Sequence, residues 1–322
     1  MSKSRVRTIL GTGDFGTRLD LKATEEMLEL FHESKNDEID TALMYGGGKS
    51  EESIGKCKIS QKMKIATKAN PWEENTLTQS GVRRQLESSL DRLQTKQVDI
   101  FYLHAPDHNT PITETLQAVN ELYQEQKFKE FGLSNYASWE VAEVVSACRN
   151  NNWIQPTVYQ GMYNCLTRQV EKELFPCLKY YGIRFYAYNP LAGGLLSGKH
   201  IFEDWDKTEP GRFFGAGKWK KVYRDRYWRK ENFESIAKIQ TVLDELYGPG
   251  KVTMAEAAYR WLYHHSQLGA EKGDGVIIGA STVAHCKENL SYTTEGKLDD
   301  RVVEQMDKCW ERLSHTCPNY FR

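Results

Sequence analysis

Eight short runs of apolar, β-branched and aromatic residues recur along the chain, each about as long as a single strand. They are RTIL (7–10), EIDTA (38–42), KIATKA (64–69), VDIFYLH (98–104), KEFGLSN (129–135), PTVYQ (156–160), GIRFYAY (182–188) and GVIIGA (275–280). Such nearly continuous hydrophobic runs are typical of parallel strands that are buried on both faces. The pattern therefore predicts eight buried strands.

The segments between these runs have helical periodicity. Leu86, Leu90 and Leu93 fall on one apolar stripe. Ser138 is predicted to cap a later helix, and Thr110-Pro111 is typical of a cap followed by proline at the first helical position. Eight strands alternating with helices predict an α/β fold, a closed parallel (β/α)8 barrel (TIM barrel).

Two segments depart from this alternation. Residues 198–230, between the seventh and eighth strands, are rich in glycine, aromatic and cationic residues and are predicted to form a long loop. After residue 289 a C-terminal extension follows, with a helix at about 299–314 and the ending CPNYFR. Because no linker or low-complexity tract interrupts the pattern, residues 1–322 are expected to form one barrel domain.

Composition excludes several classes of protein. The 322 residues carry a net charge of -1, which gives no general attraction to nucleic acid or an anionic membrane. No apolar run reaches about 18 residues, and the first residues lack the apolar core of a signal peptide. The seven cysteines include no Cys-x-x-Cys pair, so reduced thiols without a metal site are expected. These features favour a cytoplasmic protein.

Two motifs suggest other dehydrogenase folds. GTGDFG (11–16) matches the G-x-G-x-x-G of a Rossmann dinucleotide site, but helical periodicity starts only near Ala23, and the strands continue to eight. Tyr45-x-x-x-Lys49 and Tyr123-x-x-x-Lys127 match the pair of short-chain dehydrogenases. Three glycines forbid a stable helix at the first pair, and Tyr123 lies on an apolar stripe. Both alternatives are disfavoured.

Four chemically versatile side chains follow the ends of consecutive strands. Asp40 closes the second strand, Tyr45 lies on the loop after it, Lys68 closes the third and His104 the fourth. In a (β/α)8 barrel these ends meet at one mouth. Carbonyl reduction needs hydride at carbon and a proton at oxygen. Tyr is a weak acid whose pKa a neighbouring ammonium is expected to lower. Asp40 would hold Lys68, while His104 would hydrogen-bond the substrate oxygen.

The sequence resembles the aldo-keto reductase superfamily, most closely its aflatoxin-aldehyde and succinic-semialdehyde reductase branch. The resemblance covers nearly the whole chain and includes LGTGDFG, DTALMYGGGKSEE, ATKANPW, DIFYLHAPD, EFGLSNY, VYQGMYN, AYNPLAGGLLSGK, GRFFG, RYW, IIGAS and CPNYFR. It implies a catalytic tetrad, with Tyr45 as the proton donor, that consists of Asp40, Tyr45, Lys68 and His104.

The resemblance also implies NADPH/NADP+ as the cofactor, with Asp40 counted among its contacts. Ser134, Asn135 and Gln160 would bond the nicotinamide carboxamide, and Tyr188 would stack on the ring. Pyrophosphate contacts would come from Asn189, Leu191, Ala192, Gly193 and Lys199. The adenosine end would be held by Gly279, Ser281, Thr282, His285, Glu288 and Asn289, where the family usually has Gln in place of the histidine. Lys199 and Arg212 are candidates for the 2′-phosphate, which favours NADPH.

On the substrate side, the resemblance implies contacts from His104, Tyr223, Arg226 and Arg322. Two guanidinium groups suit a carboxylate, so carboxy-aldehydes such as succinic semialdehyde, dialdehydes and aromatic aldehydes are expected to be reduced in a detoxifying reaction. The branch also implies a homodimer. The alternative function is an NADP(H)-binding regulatory subunit of the potassium-channel β-subunit type, since a fold does not fix a function.

Overall fold

The eight predicted runs all form strands, and the strands close into a barrel. The computed structural model describes residues 6–74, 76–206, 211–214 and 218–322. Its strands are β1 (Arg7–Gly11), β2 (Glu38–Asp40), β3 (Lys64–Ala69), β4 (Val98–Leu103), β5 (Phe128–Ser134), β6 (Pro156–Met162), β7 (Arg184–Tyr188) and β8 (Gly275–Gly279). Each strand pairs in parallel with the next, and β8 pairs with β1. The predicted (β/α)8 barrel is confirmed.

Helices surround this barrel. They are α1 (Leu21–Glu33), α2 (Lys49–Lys56), α3 (Gln79–Leu93), α4 (Ile112–Gln124), α5 (Ser138–Asn150), α6 (Leu174–Tyr181), α7 (Lys218–Tyr227), α8 (Lys230–Tyr247), α9 (Met254–His264), α10 (Val283–Tyr292) and α11 (Asp300–Leu313). The stripe predicted at Leu86, Leu90 and Leu93 is buried on α3. The helix predicted near 299–314 is α11. Within the described residues, no helix is both long and apolar enough to cross a membrane.

The strands are hydrophobic along their length because each strand has two apolar surroundings. Inward-facing side chains form a small cluster inside the barrel, made up of Ile9, Ala66, Ile100, Tyr102, Val158, Tyr186 and Ile277. The outward-facing side chains pack against the helices in a much larger cluster. This double burial fixes the strand positions and therefore the directions of the polar side chains at the strand ends.

Three local predictions are wrong. The segment 198–230 is not a continuous loop: α7 occupies its C-terminal part, because Tyr223 and Tyr227, one turn apart, are both buried. Residues 207–210 and 215–217 of that segment lie outside the described residues. Ser138 was predicted to cap α5, but the cap is Ala137, whose N–H donates to the Glu140 carboxylate at 2.6 Å.

Thr110 was predicted to cap α4, but Pro111 is the cap residue and makes no side-chain hydrogen bond. The Thr110 hydroxyl instead donates to Asp107 Oδ2 at 2.8 Å.

The glycine motif that suggested a Rossmann fold is a loop at the end of β1. Gly11 is the last residue of β1, and α1 starts only at Leu21, capped by Asp20, whose carboxylate accepts from Ala23 N at 2.8 Å. Since the helix does not open at the glycines and the sheet closes on itself, the segment lacks the geometry of a dinucleotide fingerprint. The rejection of the Rossmann alternative is therefore confirmed.

Candidate active site

The structure brings the four residues of the predicted tetrad together at the carboxyl-terminal mouth of the barrel. Lys68 Nζ lies 2.6 Å from Asp40 Oδ1 and 5.4 Å from the centroid of the Tyr45 ring. The rings of Tyr45 and His104 meet edge to face with their centroids 5.9 Å apart. A phenol, an ammonium, a carboxylate and an imidazole thus lie together at the mouth of the barrel.

Three consecutive glycines set the position of Tyr45. Gly46, Gly47 and Gly48 all have left-handed backbones, with φ of 60°, 67° and 95°. A side chain at Gly48 would also collide with the guanidinium of Arg92, at 2.5 Å. Because only glycine adopts this run of conformations at low cost, the loop turns sharply after Tyr45 and enters α2 at Lys49.

A buried hydroxyl cluster ties α2 back to the strands that carry the ion pair. Ser50 Oγ lies 3.0 Å from Thr12 Oγ1 and 2.9 Å from Thr41 Oγ1. Thr12 Oγ1 donates to the Asp40 carbonyl at 3.0 Å, and the Thr41 carbonyl accepts from Lys68 Nζ at 2.6 Å. Sequence reasoning missed this cluster, because single Ser and Thr residues carry no pattern.

The carboxylate of Asp40 is held at both oxygens. Oδ1 accepts from Lys68, while Oδ2 accepts from Gln160 Nε2 at 2.8 Å. Asp40 and Lys68 are only 3% and 1% exposed, so water does not screen their attraction. The two hydrogen bonds of the carboxylate hold the ammonium in a fixed position within 5.4 Å of the Tyr45 ring centroid.

The electrostatics of the site favour a protonated phenol and a neutral imidazole. Desolvation, reinforced by the negative charge of Asp40, raises the pKa of Tyr45 above its ordinary value. This differs from the expected lowering, because loss of water outweighs the cationic field. Desolvation and the charge of Lys68 lower the pKa of His104 far below its ordinary range. Desolvation also lowers the pKa of Lys68, while Asp40 opposes that change.

The residues predicted to hold the nicotinamide lie along the adjoining part of the rim. Ser134 and Tyr188 end β5 and β7, Gln160 lies within β6, and Asn135 follows β5. Asn135 has φ of 61°. Its Nδ2 donates to the His104 carbonyl at 2.8 Å, and its Oδ1 accepts from the Tyr188 hydroxyl at 2.7 Å. Asn135 therefore links the backbone at His104 to Tyr188, whose ring is predicted to stack on the nicotinamide.

The segment predicted to contact the pyrophosphate is a compact turn with unusual backbone angles. Asn189 and Ala192 have φ of 57° and 49°, and Gly193 and Gly194 follow with 72° and 106°. A left-handed backbone is uncommon for residues other than glycine and is strained at an alanine, whereas asparagine tolerates it better. Beyond this turn, which also contains Leu191, Lys199 is exposed.

The residues predicted for the adenosine end surround the start of α10. Thr282 Oγ1 caps this helix by accepting from His285 N at 3.1 Å, and Ser281 Oγ lies 3.2 Å from His285 Nδ1. Glu288 Oε1 accepts from Tyr292, and Asn289 Nδ2 donates to the carbonyl of Gly279 at 3.0 Å. The side chains form one patch after β8, beside free helical N–H groups.

Arg212 lies at the mouth of the barrel, where it contacts Tyr223 and acts electrostatically on Tyr45. Its NH1 is 3.4 Å from the Tyr223 hydroxyl, its guanidinium lies over the Tyr223 ring at 5.2 Å, and its charge acts to lower the pKa of Tyr45. A Cβ added at Gly13 would lie 3.6 Å from its NH2. The structure thus places Arg212 beside Tyr223 and Gly13.

The three remaining substrate-side residues approach the same mouth from the two C-terminal segments. Tyr223 is buried on α7, and its hydroxyl donates to Asn189 Oδ1 at 3.3 Å. The half-buried Arg226 lies over the Tyr223 ring at 5.8 Å. The backbone N–H of Arg322 donates to the Asn135 carbonyl at 3.0 Å, and its side chain is exposed.

Trp72 packs against the predicted site residue His104, a contact that sequence reasoning missed. Its ring is 49% exposed and meets the His104 ring edge to face at 4.8 Å. The backbone N–H of Trp72 donates to Asn70 Oδ1 at 3.2 Å. Because loops at this face of a barrel carry function, a large aromatic residue just after β3 was the available signal.

Comparison with known proteins identifies the class that this barrel and its mouth belong to. The model of the aldo/keto reductase family matches residues 7–311. The chain therefore belongs to the aldo/keto reductase family and is an oxidoreductase. The family generally uses a nicotinamide cofactor.

Individual relatives resemble the chain over nearly its full length. "Aflatoxin B1 aldehyde reductase member 2" of Rattus norvegicus is 53% identical over 324 residues, covering 99% of this chain and 88% of the relative. "Aflatoxin B1 aldehyde reductase member 4" of Homo sapiens is 50% identical, covering 100% of this chain and 98% of the relative. "Aldo-keto reductase family 7 member A3" of Homo sapiens is 49% identical, covering 100% of this chain and 99% of the relative. The resemblance predicted from the sequence is confirmed, and it supports aldehyde reduction.

Proposed function

We propose that this protein reduces aldehydes to alcohols with NADPH, with Tyr45 as the proton donor. The observation that carries the proposal is the enclosed Lys68–Asp40 ion pair beside the rings of Tyr45 and His104. Positions 45, 68 and 104 meet although they are far apart in sequence, and packing alone does not call for a buried charge pair. Conversion of reactive aldehydes to alcohols is a detoxifying reaction.

The residues present fit a nicotinamide dinucleotide. The turn at 189–194 has a left-handed backbone at four positions, and Gly194 and Gly279 have open space where a Cβ would lie, so a phosphate could approach the backbone closely there. His104 Nδ1 is buried and has no hydrogen-bond partner among the described residues. Lys199 is an exposed cation beyond the turn, suited to the 2′-phosphate. When bound, the nicotinamide supplies hydride to the carbonyl carbon.

The chain's own residues would manage the proton and the oxygen. Neutral His104 can donate a hydrogen bond to the carbonyl oxygen, which orients the aldehyde and stabilises the developing alkoxide. Tyr45, which burial keeps protonated in the free enzyme, then transfers its proton to that oxygen. Lys68 stabilises the resulting phenolate, and Asp40 with Gln160 holds the ammonium in position. Trp72 packs edge to face against the imidazole and would help to hold its orientation.

Carboxylate-bearing aldehydes are the proposed preferred substrates. Arg226 and Arg322 reach the mouth from α7 and from the C-terminal tail, and two guanidinium groups would bind a carboxylate by charge-assisted hydrogen bonds. Succinic semialdehyde and 2-carboxybenzaldehyde carry such a group, while dialdehydes and 4-nitrobenzaldehyde test the aldehyde requirement alone.

The test is loss of NADPH absorbance with succinic semialdehyde and 4-nitrobenzaldehyde, beside direct titration of NADPH by fluorescence. Turnover with both aldehydes is expected. Tight NADPH binding without turnover of either aldehyde would contradict the proposal and favour the regulatory-subunit alternative. Turnover with NADH alone would contradict the cofactor assignment, and equal KM values for charged and uncharged aldehydes would contradict the carboxylate preference.

A further inference from the structure

A second aromatic ring lies beside the ammonium of Lys68, inside the barrel. Lys68 Nζ is 5.4 Å from the centroid of the Tyr102 ring, the same distance as from the Tyr45 ring. Lys68 and Tyr102 are register partners on β3 and β4, so both side chains point into the barrel. The ammonium therefore has one aromatic ring on the side of the mouth and another within the interior.

The barrel makes room for the Tyr102 ring by a glycine on the neighbouring strand. Tyr102 pairs with Gly132 of β5, and a Cβ at Gly132 would lie 2.3 Å from the ring. Tyr102 is fully buried, and its hydroxyl has no hydrogen-bond partner among the described residues. An unpaired buried hydroxyl is unfavourable, so the hydroxyl does not explain the residue. The Tyr102 ring packs in the cluster inside the barrel and also lies beside the cation.

The charge of Lys68 needs support, because the side chain is removed from water. Two hydrogen bonds of the ammonium go to Asp40 Oδ1 and to the Thr41 carbonyl. An ammonium has three donors, so a third N–H lies outside these two bonds. The titratable groups that surround Lys68 from the packed elements are Asp40, Glu51, Tyr45, Tyr102 and His104. Burial lowers the pKa of Lys68, and among the described residues Asp40 and Glu51 oppose this by charge.

We infer that Tyr102 is a positioning residue whose ring keeps Lys68 in the charged form through a cation–π contact. A cation within about 6 Å of an aromatic centroid is attracted by the negative face of the ring, and the attraction grows when water is excluded. Tyr102 acts through Lys68 and does not touch the reacting atoms. Its effect on catalysis rests on the proposed function, whereas its effect on the charge of Lys68 does not.

The direct test is the titration of Lys68 in the free protein, without cofactor or aldehyde. Lysine labelled with ¹³C at Cε gives a signal that moves when the ammonium loses its proton, and Lys68→Met identifies that signal. Tyr102→Phe keeps the ring and removes the unpaired hydroxyl, so its midpoint should match the wild type. Tyr102→Leu removes the ring, and its midpoint should fall by on the order of one pH unit.

Two results would overturn the inference. One is an unchanged midpoint in Tyr102→Leu, and the other is an equal fall in Tyr102→Phe and Tyr102→Leu, which would assign the effect to the hydroxyl. If the leucine variant does not fold, Tyr102→Met fills a similar volume without a ring and carries the same expectation.

The pH profile of kcat/KM then separates the inference from the proposed function. For the wild type and Tyr102→Phe the loss of activity at alkaline pH should coincide, and for Tyr102→Leu it should begin at lower pH. A shifted Lys68 titration in a protein that reduces no aldehyde would leave the inference standing and would contradict the proposed function.

Discussion

The ammonium of Lys68 lies 2.6 Å from the carboxylate of Asp40, and both side chains are enclosed at the mouth of the barrel. Taking two charges out of water is costly, and each depends on the other. Gln160 satisfies the second carboxylate oxygen, and the Thr41 carbonyl accepts a second ammonium hydrogen. Each charged group therefore has a second hydrogen-bond partner besides the other charge, which offsets part of the cost of burying the pair.

Removal of one partner should cost more stability than removal of both. Asp40→Asn leaves an unpaired buried ammonium and should lower the free energy of unfolding by about 3–5 kcal/mol. The double variant Asp40→Asn with Lys68→Met should recover most of that loss in urea unfolding while remaining inactive. A double variant that is less stable than Asp40→Asn would contradict this account of the pair.

The phenol of Tyr45 should carry the proton transfer. Tyr45→Phe keeps the ring and removes the acid, so kcat for aldehyde reduction should fall roughly 10²–10⁴-fold. NADPH affinity, measured by fluorescence titration, should change little. Tyr123→Phe is the matched control, since Tyr123 belongs to the competing Tyr-x-x-x-Lys pair on α4, and its kcat should equal that of the wild type. A loss of kcat in Tyr123→Phe, with wild-type kcat in Tyr45→Phe, would identify Tyr123 on α4 as the proton donor instead.

His104 should make stability depend on pH. Because its pKa is depressed in the folded protein, the unfolded chain binds a proton below about 6.5 that the folded chain does not. Stability therefore falls as the pH drops below the ordinary histidine value, by up to about 1.4 kcal/mol per pH unit for this group. His104→Gln should reduce that slope in urea unfolding between pH 6.5 and 5.

The control for this slope is His315→Gln, which removes an exposed imidazole. A His104→Gln variant with the wild-type pH slope would show that the imidazole is not held neutral by its surroundings.

The two arginines should act on charged aldehydes only. Arg226→Ala and Arg322→Ala should each raise KM for succinic semialdehyde by about 10-fold or more, as expected for a charge-assisted hydrogen bond, and leave KM for 4-nitrobenzaldehyde nearly unchanged. Unchanged KM for succinic semialdehyde in both variants would exclude the carboxylate contact.

Deletion of residue 322 gives a sharper comparison with Arg322→Ala. Both changes remove the guanidinium, but only the deletion also removes the backbone N–H that donates to the Asn135 carbonyl. The deletion alone should therefore weaken NADPH binding as well, and equal NADPH affinities in the two variants would contradict a role for this tether.

Trp72 should select for aromatic or bulky aldehydes. Trp72→Ala removes the ring that lies against His104, so KM for 4-nitrobenzaldehyde should rise more than KM for succinic semialdehyde. Trp139→Ala is a control, because Trp139 is a similarly exposed tryptophan on α5. Equal effects of Trp72→Ala on both aldehydes would argue for a general structural role.

The barrel and the residue types at its mouth could be predicted from the amino-acid sequence. Strand positions were readable because each strand is buried on both faces, which demands a continuous apolar run, and all eight runs became strands. Asp40, Lys68 and His104 were identifiable because strand ends in a parallel barrel face one mouth. Motif resemblance then supplied the family, since several short motifs together are far more specific than any one.

The contacts between those side chains could not be predicted without the folded barrel. Helix α7 was not predicted, because the burial of Tyr223 and Tyr227 against distant residues stabilises it and its local sequence is mostly charged. The shift in the pKa of Tyr45 had the opposite sign from the expected one, because desolvation depends on every neighbour in space. The contacts of Trp72 and Tyr102 depend likewise on partners that are remote in sequence. Periodicity records which face of an element is buried, whereas distances and electric fields arise only when the barrel closes.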